Sequence, residues 1–585
     1  MTAPKMGAIA PDILVNGTAL AATVLDQLTG VKVRTSLGLT GRATLRFDDI
    51  GYAIAAGATF KIGTAVEIQM DGGTSLFTGE VTGIDLQLDQ GVPDLVVIAD
   101  DLSYRMTLGN KVRSYTQMTY ADMISKIAGE YGLSASADST SGQFDYTLQA
   151  DSDFGFVSEL AERVGFDWWV EGKTLKFKKP IASSGPTLTV AEQLRQFSVR
   201  GSALHPAATT VTGWAPKTKQ PVVGTASSAN GAVLPTATLV SGFASVGSLA
   251  SSAKLTTSAQ SPFDQAEADA MAQRSVTAWA SSAVTARGTT LANAAIKIGG
   301  SVTVAGAGPA NGQYFVTEVE HSYSERGFET RFTAGDRRPS GLVDTLTAPK
   351  RSSFRRDGLV VGVVTAVGNS EGSPGDVKIK FPGIDDQLSS GWARLVSVGG
   401  GNKKGVTFMP EVNDEVIVGF ENGDPRRPVI IGALFNGKDA QPAFVMDGSQ
   451  VGSRQITSRL GHAVEFGDGA APDKQYISLT LAGGATSVMM SKKEFAATVP
   501  AGIPLSITAG SASFKIGNDG SITIQGSKIT LKADTDVEIS GLNVTTKASV
   551  KASTSGTMVE MKANATLDLS ASGPATVKGN PVMVN

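Results

Sequence analysis

The residue types that most often perform covalent or metal chemistry are scarce in this chain. There is no Cys among 585 residues, which removes disulfides and thiolate metal sites. Imidazole is offered only by His205, His321 and His462, far apart in sequence. Gly368-Asn369-Ser370-Glu371-Gly372 spells the G-x-S-x-G pattern of a nucleophile elbow. An elbow needs a strand, a sharp turn and a helix so that the Ser hydroxyl stands exposed. Here the pattern joins two strands, and it reads as a hairpin loop. The stretch Gly432 to Asp439 is one residue short of a phosphate-binding loop. Asp439 stands where a Mg²⁺-binding Ser or Thr belongs, and Gln441-Pro442 blocks the helix such a loop feeds. The acidic doublets Asp48-Asp49, Asp100-Asp101 and Asp385-Asp386 read as turn and cap residues, because paired carboxylates for glycoside chemistry need a facing cleft. His462, in RLGHAVEFGDG, reads as a structural residue. The expectation is a chain with no catalytic residue, no cofactor and no metal site, so the elements themselves must carry the function.

Composition narrows the reading further. Lys and Arg number 51 against 54 Asp and Glu, a formal net charge of −3. No overall field draws such a protein to nucleic acid or to an anionic membrane. Gly numbers 67 and aromatics make up 6%, which suits a turn-rich β protein. The start, MTAPKMGAIAPD, lacks a charged segment followed by an apolar run, and nothing approaches 18 consecutive apolar residues. The expectation is cytoplasmic synthesis without a signal peptide or membrane span.

The elements divide into five stretches. Residues 1–115 alternate with period two and read as a first β-barrel. Residues 116–185 break that pattern. Met123, Ile124, Ile127 and Ala128 share a helical face that ends at Gly132, and Asp151-Ser152-Asp153 caps a second helix with Phe156, Leu160 and Val164 aligned. A hairpin turning at Glu171-Gly172 follows. Residues 186–345 return to strands, interrupted by a helix in which Pro262 suits the first position, while 221–260 reads as long loops with short strands. An internal repeat links the two β stretches: Lys61-Ile62-Gly63 with Lys297-Ile298-Gly299, Phe77–Val81 with Phe315–Val319, and Ala99–Asp101 with Ala334–Asp336, at an offset of about 236. After a linker at 341–357, residues 355–440 show five short strands: Val361 and Val363; Val377, Ile379 and Phe381; Trp392, Arg394 and Val396; Val416, Val418 and Phe420; Val429 and Ile431. Five strands in this length suit a small OB barrel, with a reversal at Asn422-Gly423-Asp424-Pro425.

Residues 455–585 are organised differently. From Phe514 onward, apolar pairs sit two apart and recur roughly every eight residues: Ile522/Ile524, Ile529/Leu531, Val537/Ile539, Leu542/Val544, Val559/Met561, Leu567/Leu569 and Val582/Val584. A repeat of this length is too short for a coil of a one-chain solenoid, which takes about 20 residues or more. One side per chain, with three chains closing a triangular prism, uses the pattern and leaves no open edge. The plain alternative is an ordinary β-sandwich.

The wording of the OB stretch is more specific than its periodicity. Trp392-Ala-Arg394, then Pro410-x-Val412-x-x-Glu415-Val416-x-Val418-x-Phe420, Gly423-Asp424-Pro425-x-x-Pro428 and Gly432-x-Leu434-x-Asn436 resembles the OB domain of VgrG and phage hub–spike proteins, the central spikes of contractile injection systems. The order from Gln149 through Asp153 and Leu160-Ala161 to Gly165 resembles the same family's hub. The fold implied is mainly β: tandem hub β-barrels with a small helical insertion, an OB-fold, and a C-terminal trimeric intertwined β-helix at 455–585. The needle interior would then hold Ile522, Ile524, Ile529, Leu531, Val537, Ile539, Leu567 and Leu569. The resemblance also implies a homotrimer, contacts with an inner tube protein and baseplate components, possible effector cargo, and a target envelope met only on puncture. A PAAR-type tip protein would cap Val582, Met583, Val584 and Asn585 and bring its own metal. Type VI secretion, extracellular particles and phage tails all use such a part. Only about 75 residues separate Gly437 from Phe514, short for the lysozyme some phage relatives carry, and no toxin is expected after the needle. Two other readings have their own signatures. A nucleic-acid-binding OB-fold wants a basic groove, yet residues 354–440 hold 10 Lys or Arg against 11 Asp or Glu. A glycan-binding or glycan-cleaving tailspike wants aromatic platforms, and no Trp or Tyr follows Tyr476.

Overall fold

The computed structural model describes residues 11–584 apart from 71, 90–91, 141, 182, 202–205, 217, 240–252, 259–261, 336–357, 369–376 and 384–388. The chain forms two compact units, Met1–Ala440 and Gln441–Asn585, and strand dominates both.

The first unit is built on one 13-stranded sheet. Its N-terminal half contains β1 (Asp12–Val15), β2 (Leu28–Ser36), β3 (Arg42–Asp48), β4 (Ala65–Met70), β5 (Thr74–Asp89) and β6 (Val92–Asp100). The second half contains β7 (Leu194–Gly201), β8 (Val284–Leu291), β9 (Ser301–Ala305), β10 (Gly312–Ser324) and β11 (Gly327–Ala334). Within the first half the spatial order is β2-β3-β6-β5-β4; within the second it is β7-β8-β11-β10-β9. The same order of strands in the same order of sequence is the duplication anticipated above.

Irregularities repeat as well. A bulge at Thr82 lies between the pairs Val81↔Ala99 and Gly83↔Ile98; another at Thr317 lies between Val316↔Ala334 and Glu318↔Thr333. Gly63 N donates to Val81 O (2.8 Å) as Gly299 N donates to Val316 O (3.0 Å). Bulges are placed features rather than noise, so these matches fix the alignment. Val81 is equivalent to Val316, which slides the Phe77–Val81 match by three residues from its sequence alignment. The halves are joined rather than free: β10 pairs antiparallel with β2 from Glu318↔Ser36 to Tyr323↔Val31. Each half keeps its own apolar core, one around Val33, Leu45, Phe47 and Ile68, the other around Val302, Tyr314, Val316 and Phe332.

Three helices of more than two turns lie among the described residues of this unit. α1 (Tyr120–Glu130) starts with a capping box between Thr119 and Asp122 and buries Met123, Ile124, Ile127 and Ala128, the face read from the sequence. α2 (Asp153–Val164) is capped by the Ser152 side chain on Gly155 N and ends at Gly165, whose φ of 73° supplies the left-handed stop. α3 (Gln265–Ala283) begins after Asp264, whose carboxylate accepts from Glu267 N at 2.8 Å. Pro262 therefore lies outside the helix, a correction to its expected first position: a charged cap two residues on, Asp264, outweighs the proline preference. From the 221–260 stretch, most of Gln220–Ala226 forms a hairpin with the preceding Ala208–Ala215, and Lys254–Thr257 adds parallel to the latter.

The OB region has its five strands, β12 (Val360–Val367), β13 (Val377–Lys380), β14 (Arg394–Leu395), β15 (Glu415–Phe420) and β16 (Pro428–Ala433), ordered β13-β12-β15-β16-β14. Its core holds Val364, Val377, Ile379, Phe381, Ala393, Val416, Val418 and Ile430, with Tyr146 and Leu148 from the helical insertion. Three strands face opposite to the sequence reading. Val361, Val396 and Ile431 are exposed while Val364, Ala393 and Ile430 are buried. Apolar residues stand on both faces of these strands, as Val361 and Val364 or Ile430 and Ile431 do, so apolar alternation alone does not choose the buried face, and reading it one residue out exchanges the faces.

The second unit starts with a five-stranded antiparallel meander, Ser453–Thr457 to Phe495–Thr498, followed by a three-stranded sheet, Leu505–Ala509, Ala512–Ile516 and Ile522–Gln525. From residue 526 to 584 no strand ladder forms. Bends recur instead at 527, 534–535, 542, 549–550, 557, 564–565, 572–573 and 580–581, every seven or eight residues.

Candidate functional site

Most of the groups flagged for chemistry that fall among the described residues have structural partners. Asp49 accepts from Ile54 N and Ala55 N (2.8 and 2.7 Å). Asp100 pairs with Arg42 at 2.8 Å. Asp101 accepts from Gly41 N and Ser103 N, and burial pushes its carboxyl up to about 6. Asn436 closes the Gly432–Asp439 turn by accepting from Lys438 N and Asp439 N. His462 Nδ1 accepts from Ala482 N at 3.0 Å. His321 is buried against Thr330 Oγ1 at 2.9 Å, and burial lowers its pKa to about 4. His205, Ser370 and the Asp385-Asp386 doublet lie outside the described residues. Among the described residues no group of three or more His, Asp or Glu is placed to hold a metal ion.

Sequence reasoning missed a buried ionic cluster where the OB region meets the helices. Asn422 and Gly423 take positive φ (52° and 77°), which turns the chain after β15 and delivers Asp424, Arg426 and Arg427 inward. Arg426 Nη1 donates to Tyr120 Oη (2.8 Å) and Glu267 Oε1 (3.0 Å). Its Nη2 donates to Asp424 Oδ2 (2.7 Å) and Glu267 Oε2 (3.2 Å). Arg163 Nη1 reaches the same Glu267 oxygen at 3.3 Å, and the guanidinium of Arg426 lies 5.3 Å from the Phe144 ring centroid. Arg427 spans to the other side, donating to the carbonyls of Trp214 (2.7 Å), Pro262 (2.5 Å) and Phe263 (3.2 Å). Burial alone would raise the Glu267 carboxyl, but Arg426 and Arg163 outweigh it and hold it at about 2. Glu267 also sits in the first turn of α3, where the helix dipole favours a negative charge. This turn ties α1, α2, α3 and the OB region into one joint. The only sequence signal was Arg426-Arg427 bracketed by Pro425 and Pro428, and arginines in a turn are ordinarily solvated.

The second site is the tail. Ile522, Ile524, Ile529, Leu531, Val537, Ile539, Leu567 and Leu569 are all exposed, from 52% at Ile529 to 78% at Leu569. Ile529 with Leu531, Val537 with Ile539, and Leu567 with Leu569 each sit on one straight step between two bends. Val582, Met583 and Val584 are exposed at the end; Asn585 lies outside the described residues. Among the described residues, no helix is long and apolar enough to cross a membrane.

Comparison with known proteins agrees with the OB reading. Residues 360–435 match the type VI secretion system/phage-baseplate injector OB domain. The type VI secretion system spike protein VgrG1c of Pseudomonas aeruginosa is 32% identical over 91 residues, 15% of this chain and 12% of that protein. The spike protein VgrG3 of Vibrio cholerae is 35% identical over 77 residues, 12% of this chain and 8% of that protein. The chain thus spans about a tenth of these relatives' length. A 43 kDa prophage tail protein from Shewanella oneidensis aligns over 56% of this chain and 98% of its own at 13% identity, with a TM-score of 0.43. An E. coli type VI secretion component aligns over 72% of this chain and 99% of its own at 16% identity, also with a TM-score of 0.43. The sequence matches bear out the resemblance to VgrG-type hub–spike proteins. Residues 5–325, more than half of the chain, match the family described as the Alg8 N-terminal domain, and the chain belongs to that family.

Proposed function

We propose that this chain is the structural spike subunit of a contractile injection system, working as a trimer in which hub and OB region form the base and residues after 505 form the needle. The observation that carries the reading is the tail: residues 527–584 are exposed throughout, bend every seven or eight residues, and bear apolar pairs on the straight steps. A single chain gains nothing from such an arrangement, because exposed apolar pairs contribute burial only when another surface covers them. Three copies wound about one axis cover each pair and give each strand edge a partner. Puncture then needs no covalent step. A shaft of interwound strands resists axial load because its interchain hydrogen bonds must break together.

In this reading the OB domain continues the threefold axis, and the duplicated hub halves present six similar units to a hexameric tube. The exposed end at Val582, Met583 and Val584 takes a PAAR-type cap. The test is the mass of the purified protein: a 60.2 kDa chain should run as a trimer of about 180 kDa with a closed threefold axis, and a stable monomer would sink the proposal. Deleting residues 581–585 should leave the trimer and abolish co-purification with a co-expressed PAAR-type protein. Capture unchanged by the deletion would place that contact elsewhere.

A further inference from the structure

The bends of the tail divide it into steps of equal length, but the steps do not carry equal side chains. Between bends run the six-residue steps 528–533, 536–541, 543–548, 551–556, 558–563, 566–571 and 574–579. In each, the second and fourth residues point to the same side of an extended chain. On either side of the centre these places hold large apolar pairs, Val537 with Ile539 and Val559 with Met561. In the two central steps they hold Val544 with Thr546 and Ala552 with Thr554.

The large apolar residues of the centre stand elsewhere. Leu542 and Val550 lie on bends and are 99% and 98% exposed, against 59% for Val544 and 50% for Val559. Leu542 and Val544 form an apolar pair in the sequence, yet the chain bends at Leu542 and begins its step after it. Moving these bends two residues back would set Leu542 with Val544, and Val550 with Ala552, at second and fourth places. It would also leave the second places at 537 and 542 five residues apart, where the steps elsewhere space them by seven or eight. At about 3.3 Å per residue, one side of a prism would then fall short by about 7 Å or more. Apolar pattern and step length thus call for different phases here, and step length prevails. Such a conflict between local preference and the wider fold marks a weakly specified segment.

Resting on the wound trimer proposed above, we infer that the needle is built with a soft section at residues 543–556, where the three chains loosen before the steps on either side do. Around the axis this section gathers Thr546, Ala552 and Thr554 from three copies. It buries less apolar surface per step than its neighbours, and local stability within a fold follows buried apolar contact. A slip of two residues keeps every side chain on its face, because faces alternate with period two, so the competing phase is within reach once the section opens. A needle of this kind yields at a set place under load: the part from 557 to the tip gives way while 528–541 stays wound.

Hydrogen exchange of the full-length trimer, read by mass spectrometry, tests this. Amides of 543–556 should exchange about tenfold faster or more than those of 528–541 and 558–571. Trypsin should cut first after Lys547 and Lys551, and later after Lys532 and Lys562. Leu542→Ser with Thr546→Ile moves the apolar side chain from the bend to the fourth place, and should slow exchange to the rate of the flanking steps. Thr545→Ile adds the same bulk on the opposite face and should leave the section as fast as before. Native mass spectrometry on the same samples separates the failures. An intact trimer with even exchange from 528 to 571, or one in which Thr545→Ile slows exchange as much as the paired change, overturns the soft section and leaves the trimer standing. A monomer overturns both.

Discussion

The joint at Arg426 and the tail after residue 526 treat water in opposite ways. At the joint, charges that would ordinarily be solvated are buried, and partners from distant parts of the same chain satisfy them: Glu267 is 159 residues from Arg426. In the tail, side chains that would ordinarily be buried are exposed, and the chain folds back on none of them. The joint is complete within one protomer, so its energetics belong to folding. The tail is exposed within one protomer, and in the proposed trimer its energetics would belong to assembly. Substitutions in the two regions should therefore fail in different experiments.

The largest effect is expected in the tail. Ile524→Asp or Leu569→Asp places three carboxylates around one axis. Each is costly to desolvate, by several kcal/mol, and they repel one another. Native mass spectrometry should find the trimer lost, while the thermal transition of the Met1–Ala440 unit persists. If both variants remain trimers, these positions do not face the axis.

Next in size is the joint. Arg426→Met removes the counter-charge of Glu267 and Asp424 without changing side-chain volume greatly. Stranding buried carboxylates costs about 3–5 kcal/mol, read as a lower urea midpoint for the first unit. Arg426→Met with Glu267→Gln should cost less than the two single changes together, because the second removes a charge the first left unpaired. Additive losses would mean that the groups pack without coupling.

How far these two regions could be read from sequence differs for the same reason. The repeat in the tail was visible in sequence because its pattern is local: the spacing of Ile529, Leu531, Val537 and Ile539 lies on one continuous stretch. Helix α1 was legible for the same cause, with Met123, Ile124, Ile127 and Ala128 on one face and Thr119 at its cap. The joint was not, because nothing near Arg426 names Glu267, Tyr120 or Arg163 as its partners. The OB strands were found but three of their faces were not. Apolar residues lie on both faces of β12 and β16, with Val361 and Ile431 exposed and Val364 and Ile430 buried, so alternation alone does not name the buried face. The duplication was visible in Lys61-Ile62-Gly63 and Lys297-Ile298-Gly299, but its exact register needed the bulges at Thr82 and Thr317.

A smaller effect separates two titrations within the first unit. His321 is held neutral by burial, with its pKa lowered to about 4. The unfolded chain takes up a proton below about 6.5, so stability should be full above that pH and fall as pH drops from about 6.5 towards 4, by roughly 3 kcal/mol at most. Glu267, lowered to about 2, acts in a different window: its contribution is present above the unfolded carboxyl value near 4.5 and is lost as pH falls from there towards 2. His321→Gln should flatten the first limb of a urea-midpoint profile and leave the second. A wild-type profile flat between pH 4 and 6.5 would contradict the burial of a neutral His321.

The smallest effect sharpens the comparison by repeating the chemistry of the joint in water. Arg34 grips Glu318 with two hydrogen bonds, Nε at 3.0 Å and Nη2 at 2.9 Å, a geometry as good as that of Arg426 on Glu267. The difference is exposure: the Arg34 side chain is 58% exposed and that of Glu318 30%, against 1% and 6% for Arg426 and Glu267. An exposed ion pair loses most of its Coulomb energy to solvent and to salt, so Arg34→Ala should cost under about 1 kcal/mol. The loss should shrink further at molar salt, where the Debye length falls to about 3 Å, whereas the loss at Arg426 should not respond to salt. A 3 kcal/mol cost at Arg34 would mean that pairing geometry, rather than burial, sets the strength of this chain's ion pairs.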